Sequence, residues 1–454
     1  MMQATQGSSM EAVDQLSFGR PPHDPPTGGG PGHGVGTAAA HRIAIFNVKY
    51  SPNLGDGIIA ECLEGELRRA DPLIEPVSID LAGRTGFSRR HGRSRMGMLS
   101  IIEMLPARVR SVLVPALLLV LVRFRFAPRW RRWLAKCDGV IVGGGALFQD
   151  VDQNFPVKIA QGLKLANARK LPVAIASVGV SGGWSAAGRN RLAARLLGAR
   201  LVSVSVRDVD SVTMWRSVMG ALGVGEAALA PDPGLLSARQ YGSPRKSAEP
   251  SCIGLCVTAP IALRLHHEGA HDDGQHEAWM RAAARELMKL GRDVVMFTNG
   301  SPEDRLFRDR LQLGLERYPA IRFAPDFSCP EELAHALAGF DCVLAHRLHA
   351  CIVAYSYKVP TVGFAWDRKL RSFFEQTGRA GFVIDPRETS PMHLADLASI
   401  AIELGIDEDM HAHLVGGAAG AIHALAQKLT ASGADMAMRP IGAPTSVAAG
   451  ATAR

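Results

Sequence analysis

Asp341-Cys-Val-Leu-Ala-His-Arg-Leu-His349, continued by Ala350-Cys-Ile-Val-Ala-Tyr-Ser-Tyr-Lys358, is the stretch around which the rest of the chain is organised. A short apolar run, Cys342 to Ala345, hands over to His346, Arg347 and His349. Ile352, Val353 and Tyr355 then follow at helical spacing. The pattern predicts strand, tight turn, helix. In open α/β sheets ligands bind outside the carboxyl ends of strands, and a helix N-terminus offers free N–H groups and a positive dipole end. An arginine and a histidine at that junction describe an anion pocket with a titratable group. The competing reading is an Arg347 ion-paired to a loop beside a packed His349.

Working outward, 454 residues exceed one ordinary core, so two domains are expected. Net charge is +8, from 51 Lys and Arg against 43 Asp and Glu, and the excess is local. Between Arg84 and Lys136 stand thirteen Lys or Arg and one acid, Glu103. The cysteines are odd in number, at 7, and no pair of CxxC motifs occurs; Cys252 and Cys256 are poorly spaced for zinc. They read as reduced, buried thiols of a cytoplasmic protein. Residues 1–40 carry Pro21-Pro-His-Asp-Pro-Pro26 and a glycine-rich run instead of the apolar core of a signal peptide, and are expected to be a disordered leader.

Strand and helix patterns alternate through 41–236 and again through 252–431, which predicts two mostly parallel sheets joined by a linker at 237–251, with a disordered tail at 432–454. The first domain opens with the strand-like Ile43 to Val48, a polar loop through Asn53 and Asp56, and a helical pattern from Gly57. The turn is not GxGxxG, so a dinucleotide fingerprint is missing; Asn53 and Asp56 read as helix caps or as site residues. Gly143, Gly144 and Gly145 follow a second apolar run, where backbone without Cβ can approach a ligand or a neighbouring helix. Arg207 ends a later run, Leu201 to Val206, and repeats the placement of Arg347; an ion pair with Asp208 or Asp210 is its plainer role. Across a cleft between two such domains, Arg207 from one side and Arg347 with His349 from the other suit a small polyanion.

The insertion 84–136 centres on Val112-Leu-Val-Pro-Ala-Leu-Leu-Leu-Val-Leu-Val122, too short to span a bilayer and interrupted by Pro115. Arginines 108, 110, 123, 125, 129, 131 and 132 flank it, with Trp130 and Trp133. Two readings stand: peripheral membrane contact through 108–133, or a helix of the first domain with a solvated basic end. Nucleic acid is not expected as a partner, because the arginines surround an apolar block rather than a row of stacking aromatics.

Taken in order, Asn53-Leu-Gly-Asp56, Gly143-Gly-Gly-Ala-Leu-Phe-Gln-Asp150, Ser205-Val-Arg-Asp208, Pro231-Asp232, Arg347-Leu-His-Ala350 and Gly363-Phe-Ala-Trp-Asp-Arg-Lys369 resemble the polysaccharide pyruvyl transferase family. The resemblance covers roughly residues 41 to 400. It implies an α/β protein of two Rossmann-like domains facing across a cleft, GT-B-like. It also implies an enzyme that moves the pyruvyl group of phosphoenolpyruvate onto a sugar of a cell-surface polysaccharide or glycolipid precursor as a ketal, releasing phosphate. Arg207, Arg347, Leu348 and His349 correspond by resemblance to donor-binding positions, and His349 to the general acid. The base for the acceptor hydroxyl is open between Asp56 and Asp150. No cofactor and no metal is implied, phosphoenolpyruvate being the donor substrate. The acceptor would be a glycan or lipid-linked saccharide, met in the cytoplasm or on the inner face of the plasma membrane. Two alternatives remain beside it: a GT-B-type glycosyltransferase using a nucleotide sugar, with Glu375 gripping ribose hydroxyls, and a non-catalytic membrane-surface relative.

Overall fold

The computed structural model describes residues 40–87, 107–243, 251–264, 273–365 and 368–437. The expected leader, apart from Ala40, and the tail beyond 437 lie outside the described residues, as do 244–250 of the expected linker and 88–106 of the insertion. The described residues form one compact unit containing two six-stranded sheets.

The first sheet comprises β1 (His41–Asn47), β2 (Ile74–Asp80), β3 (Gly139–Gly143), β4 (Pro172–Val178), β5 (Arg200–Val206) and β6 (Ala228–Leu229), in the order β2-β1-β3-β4-β5-β6. Every pairing is parallel. Strand β1 shows why the apolar runs are continuous: Ile43 and Ile45 enter the core shared with the second sheet, while Ala44 and Phe46 enter the core on the opposite face. The second sheet comprises β7 (Cys252–Cys256), β8 (Asp293–Phe297), β9 (Ile321–Phe323), β10 (Cys342–Ala345), β11 (Thr361–Phe364) and β12 (Val383–Ile384), in the order β9-β8-β7-β10-β11-β12, again parallel.

Each order contains one place where the chain reverses its direction of strand addition, between β1 and β3 in the first sheet and between β7 and β10 in the second. Loops leaving adjacent strands diverge there, and a crevice opens at their carboxyl ends. The turn after β10 is His346 and Arg347, leading directly into the helix that carries His349, so this topology puts the residues singled out by sequence at the crevice of the second sheet.

Two segments differ from expectation. Ser237–Tyr241, expected as linker, is a short helix following the 3-10 turn Pro233–Leu236. The C-terminal helix Glu408–Ala437 runs into the expected tail, and it packs on the first domain rather than ending the second. Its Leu414, Ala418, Ile422, Leu425 and Leu429, three and four apart, are buried in one core with Ile43 and Leu63, and His423 Nε2 lies 2.8 Å from Glu66 Oε1. Short-range periodicity announces a helix but not the sheet it returns to.

Candidate active site

The site is built where two helix N-termini meet across the domain interface. Asn53 caps the helix Leu54–Ala70, its side-chain oxygen accepting from Gly55 N at 3.2 Å, and Asp56 stands in the first turn. Opposite, Arg347 is the N-cap residue of the helix Leu348–Ser356. The imidazole of His349, in that helix's first turn, lies against the bare α-carbon of Gly55: a Cβ there would sit 2.6 Å from His349 Cβ and 2.9 Å from Nδ1. His349 Nδ1 is 3.6 Å from Asp56 Oδ1. A second tie lies alongside, Leu54 N donating to Asn299 O at 2.8 Å.

Gly144 and Gly145 leave β3 with φ of 80° and 82°, the left-handed region that favours glycine. A Cβ on Gly144 would press on Ile59 at 2.9 Å, and Gly145 faces Asp56. The glycines therefore allow the loop after β3 to lie flat against the first turn of the Asp56 helix.

Arg207, at the end of β5, is buried. Its Nη1 donates to Asp232 Oδ2 at 3.1 Å and its Nε to Asp208 Oδ2 at 3.3 Å, while Asp208 also caps the helix Val209–Val218 by accepting from Ser211 N at 2.6 Å. Burial raises the Asp232 carboxyl above its ordinary range, and the Arg207 charge opposes that rise. Gly179 lies flat on the guanidinium, with a Cβ there 3.0 Å from both Nε and Nη2. Just before it, buried Ser177 has φ 48°, an unfavourable backbone for a residue with a Cβ. Of the two partners that the plainer reading of Arg207 offered, Asp208 makes the ion pair, but the pair is buried and Asp232, which that reading did not name, shares it.

Arg347 is held from the other side by Asp304, which accepts from Nη2 at 2.5 Å and Nε at 3.1 Å and from Ala259 N at 2.8 Å. Burial works against the Arg347 charge, but the Asp304 carboxylate outweighs it and holds the guanidinium above its ordinary pKa. Arg347 is thus ion-paired, as the competing reading of the turn expected, and His349 is largely buried beside it. Burial pushes the His349 pKa down to about 4, the nearby Asp56 opposing and the positive charges of Arg207, Lys369 and Arg347 assisting. The resting imidazole is neutral at physiological pH.

Of the two carboxylates considered as base, Asp56 stands beside His349. Asp150 is engaged elsewhere: its Oδ2 accepts from Ser185 N at 2.8 Å and Ser185 Oγ at 2.6 Å, and its Oδ1 from Gln153 N at 2.9 Å. Leu348, the first residue of its helix, packs partly buried on the shared core. Three participants had no sequence assignment. Asp232 and Asp304 anchor the arginines, and Lys369, at the start of the helix Arg368–Gln376, acts on His349. The signal for Lys369 was its place in the strand-to-helix connection after β11, though as the second residue of its helix rather than, like Arg347, at the N-cap. Trp366 and Asp367 lie outside the described residues. At the same strand edge, the Thr258 hydroxyl and the Asn299 side-chain nitrogen are buried without a partner among the described residues. Among the described residues, no three His, Cys, Asp or Glu side chains converge as a metal site.

The sequence profile of the polysaccharide pyruvyl transferase family matches residues 53–368. No curated relative matches the chain. Among solved structures, the UDP-GlcNAc 2-epimerase of Methanocaldococcus jannaschii superimposes with a TM-score of 0.50 at 11% identity, covering 86% of this chain and 99% of that one. A further UDP-N-acetylglucosamine 2-epimerase gives 0.52 at 13% identity, covering 89% and 99%. At such identities the likeness is one of fold, the GT-B-like pairing of two parallel α/β domains.

Proposed function

The chain belongs to the polysaccharide pyruvyl transferase family, and from that premise we propose that it moves the pyruvyl group of phosphoenolpyruvate onto two hydroxyls of one sugar in a cell-surface polysaccharide or glycolipid precursor. The observation that carries this reading is the placement of Arg207 and Arg347 at the carboxyl ends of β5 and β10, one in each domain, with a largely buried His349 that Asp56 of the first domain approaches to 3.6 Å. A small donor with a carboxylate and a phosphate supplies the negative charge that such a set receives, and guanidinium forks match both groups.

Bound, the polyanion offsets the cations that depress the His349 pKa, so the imidazole can take up a proton and deliver it to the enol methylene carbon. One sugar hydroxyl forms a bond to the adjacent carbon and gives up its proton, for which Asp56 is the nearer carboxylate. A second hydroxyl then bonds to the same carbon as the C–O bond to phosphate breaks, and phosphate leaves with the proton released. The products are the cyclic ketal and inorganic phosphate. Arg207 and Arg347, already fixed by buried carboxylates, need little rearrangement as charge moves to the leaving group. We place the reaction in the cytoplasm, where phosphoenolpyruvate is made, with a glycan or lipid-linked saccharide as acceptor.

Calorimetric titration with phosphoenolpyruvate and with UDP- and GDP-sugars tests the donor. The proposal expects phosphoenolpyruvate to bind and Arg207→Lys to weaken it about tenfold or more, as loss of a bidentate charge-assisted contact does. Tight binding of a nucleotide sugar without phosphoenolpyruvate would replace it with the glycosyltransferase reading, in which Glu375, exposed on the helix Arg368–Gln376, holds ribose.

A further inference from the structure

The helical run from Ala107 to Leu134 has an outward face that the transfer reaction leaves unused. It consists of the helix Ala107–Leu121, a π-helical turn Val122–Phe126 and the helix Ala127–Leu134. Its inward side is ordinary core. Val122, Phe126, Trp130 and Leu134, spaced by four, are buried, with Trp130 5.3 Å from the Phe46 ring and 5.7 Å from that of Phe126. That anchoring fixes which residues face out.

They are large and apolar: Leu117 is 58% exposed, Val120 56%, Phe124 72% and Trp133 42%. Single exposed apolar side chains are normal, but a row of them on one element marks a contact surface. Arg123, Arg125, Arg131 and Arg132 are exposed among them, and residues 104–137 contain eight Lys or Arg and no Asp or Glu. A cavity of about 190 Å³ opens between Arg123 and Arg131, completed by Phe124, Ala127 and Gln161. Among the described residues no helix is long and apolar enough to cross a membrane.

We propose that this face docks the protein on an anionic phospholipid bilayer. The run lies in the plane of the interface, Leu117, Val120 and Phe124 enter the acyl boundary, and a headgroup phosphate sits between Arg123 and Arg131. Apolar side chains bordered by arginines at one level match the layering of acyl chain and phosphate in a leaflet. A second copy of the chain fits less well, because a two-fold pairing of this face would set arginines against arginines. The inference stands apart from the donor reading, and its test does not read transfer.

The test is co-sedimentation of the full chain with vesicles of phosphatidylcholine alone or with phosphatidylglycerol added. The proposal expects binding to the anionic vesicles only, weakening as salt rises. Arg123→Gln with Arg131→Gln should weaken it about 25-fold, at roughly fivefold per arginine, and Leu117→Ser with Phe124→Ser by about tenfold or more. Brominated acyl chains should quench the wild-type tryptophan emission and spare Trp133→Phe. All these side chains are exposed or partly so, so circular dichroism and phosphoenolpyruvate binding should not change. Equal binding to both vesicles, no binding at low salt, or variants that bind like wild type would overturn the proposal. So would self-association, or duplex nucleic-acid binding, that the same substitutions abolish.

Discussion

His349 Nδ1 lies 3.6 Å from Asp56 Oδ1, and the two residues belong to helices that cap different sheets. Neither crevice alone contains both a neutral imidazole and the carboxylate that can balance its charge once protonated. The site exists because the helix Leu54–Ala70 of one domain presents Gly55, without a side chain, to His349 of the other.

Gly55→Ala should therefore act on chemistry and on stability together. Alanine is favoured in a helix over glycine by about 1 kcal/mol, yet its Cβ would meet His349 Cβ at 2.6 Å. The expected result is a lowered thermal midpoint, since overpacking costs about 1 to 3 kcal/mol, with phosphate release from phosphoenolpyruvate reduced by about 100-fold, as misplacement by an ångström does.

His349→Gln should separate catalysis from binding. Phosphate release should fall by about 10²- to 10⁴-fold, the range for loss of a general acid. The donor dissociation constant should move far less, since both arginines remain.

Donor binding should consume a proton. With its pKa held at about 4 by burial and by neighbouring cations, the free imidazole is unprotonated near pH 6.5, and a bound polyanion favours the charged form. Calorimetry in buffers of different ionisation enthalpy should show uptake by wild type that exceeds that of His349→Gln, with affinity rising as pH falls from 7 towards 5.5.

The same residue makes stability pH-dependent, with a definite sign. The folded pKa of about 4 lies below the ordinary 6.5, so between these values the unfolded chain binds more protons at this position. Stability is full above pH 6.5 and is lost as pH falls towards 4, by at most about 3 kcal/mol from this group. Denaturant midpoints of His349→Gln should decline less over that window than those of wild type.

Asp304→Asn should destabilise strongly, because it leaves the buried Arg347 without its counter-charge, a change that typically costs about 3 to 5 kcal/mol. Asp304→Leu with Arg347→Met should recover much of the stability and none of the donor affinity. Denaturant unfolding beside donor titration checks both.

What could be read beforehand followed the range of the interactions. The β10 turn, the strands β1, β3 and β5, and the placement of Arg207 and Arg347 at strand ends were legible, because strand length and helix start signals are local. The strands β6, β9 and β12, of 2, 3 and 2 residues, carry too few positions for a pattern. The anchoring of Arg347 by Asp304 spans 43 positions and that of Arg207 by Asp232 spans 25, and nothing in the intervening residues encodes the pairing. Asp56 and Asp150 were equivalent as letters after apolar runs. Only the three-dimensional structure shows one beside His349 and the other tied to Ser185.

The most direct test is phosphate release from phosphoenolpyruvate by the purified full chain, with and without a lipid-linked glycan extract, comparing wild type, His349→Gln and Arg207→Lys. The account predicts glycan-dependent release by wild type that falls by at least about 100-fold in His349→Gln and, at subsaturating donor, by about tenfold in Arg207→Lys. Release that ignores the glycan, or that survives the loss of His349, would contradict it.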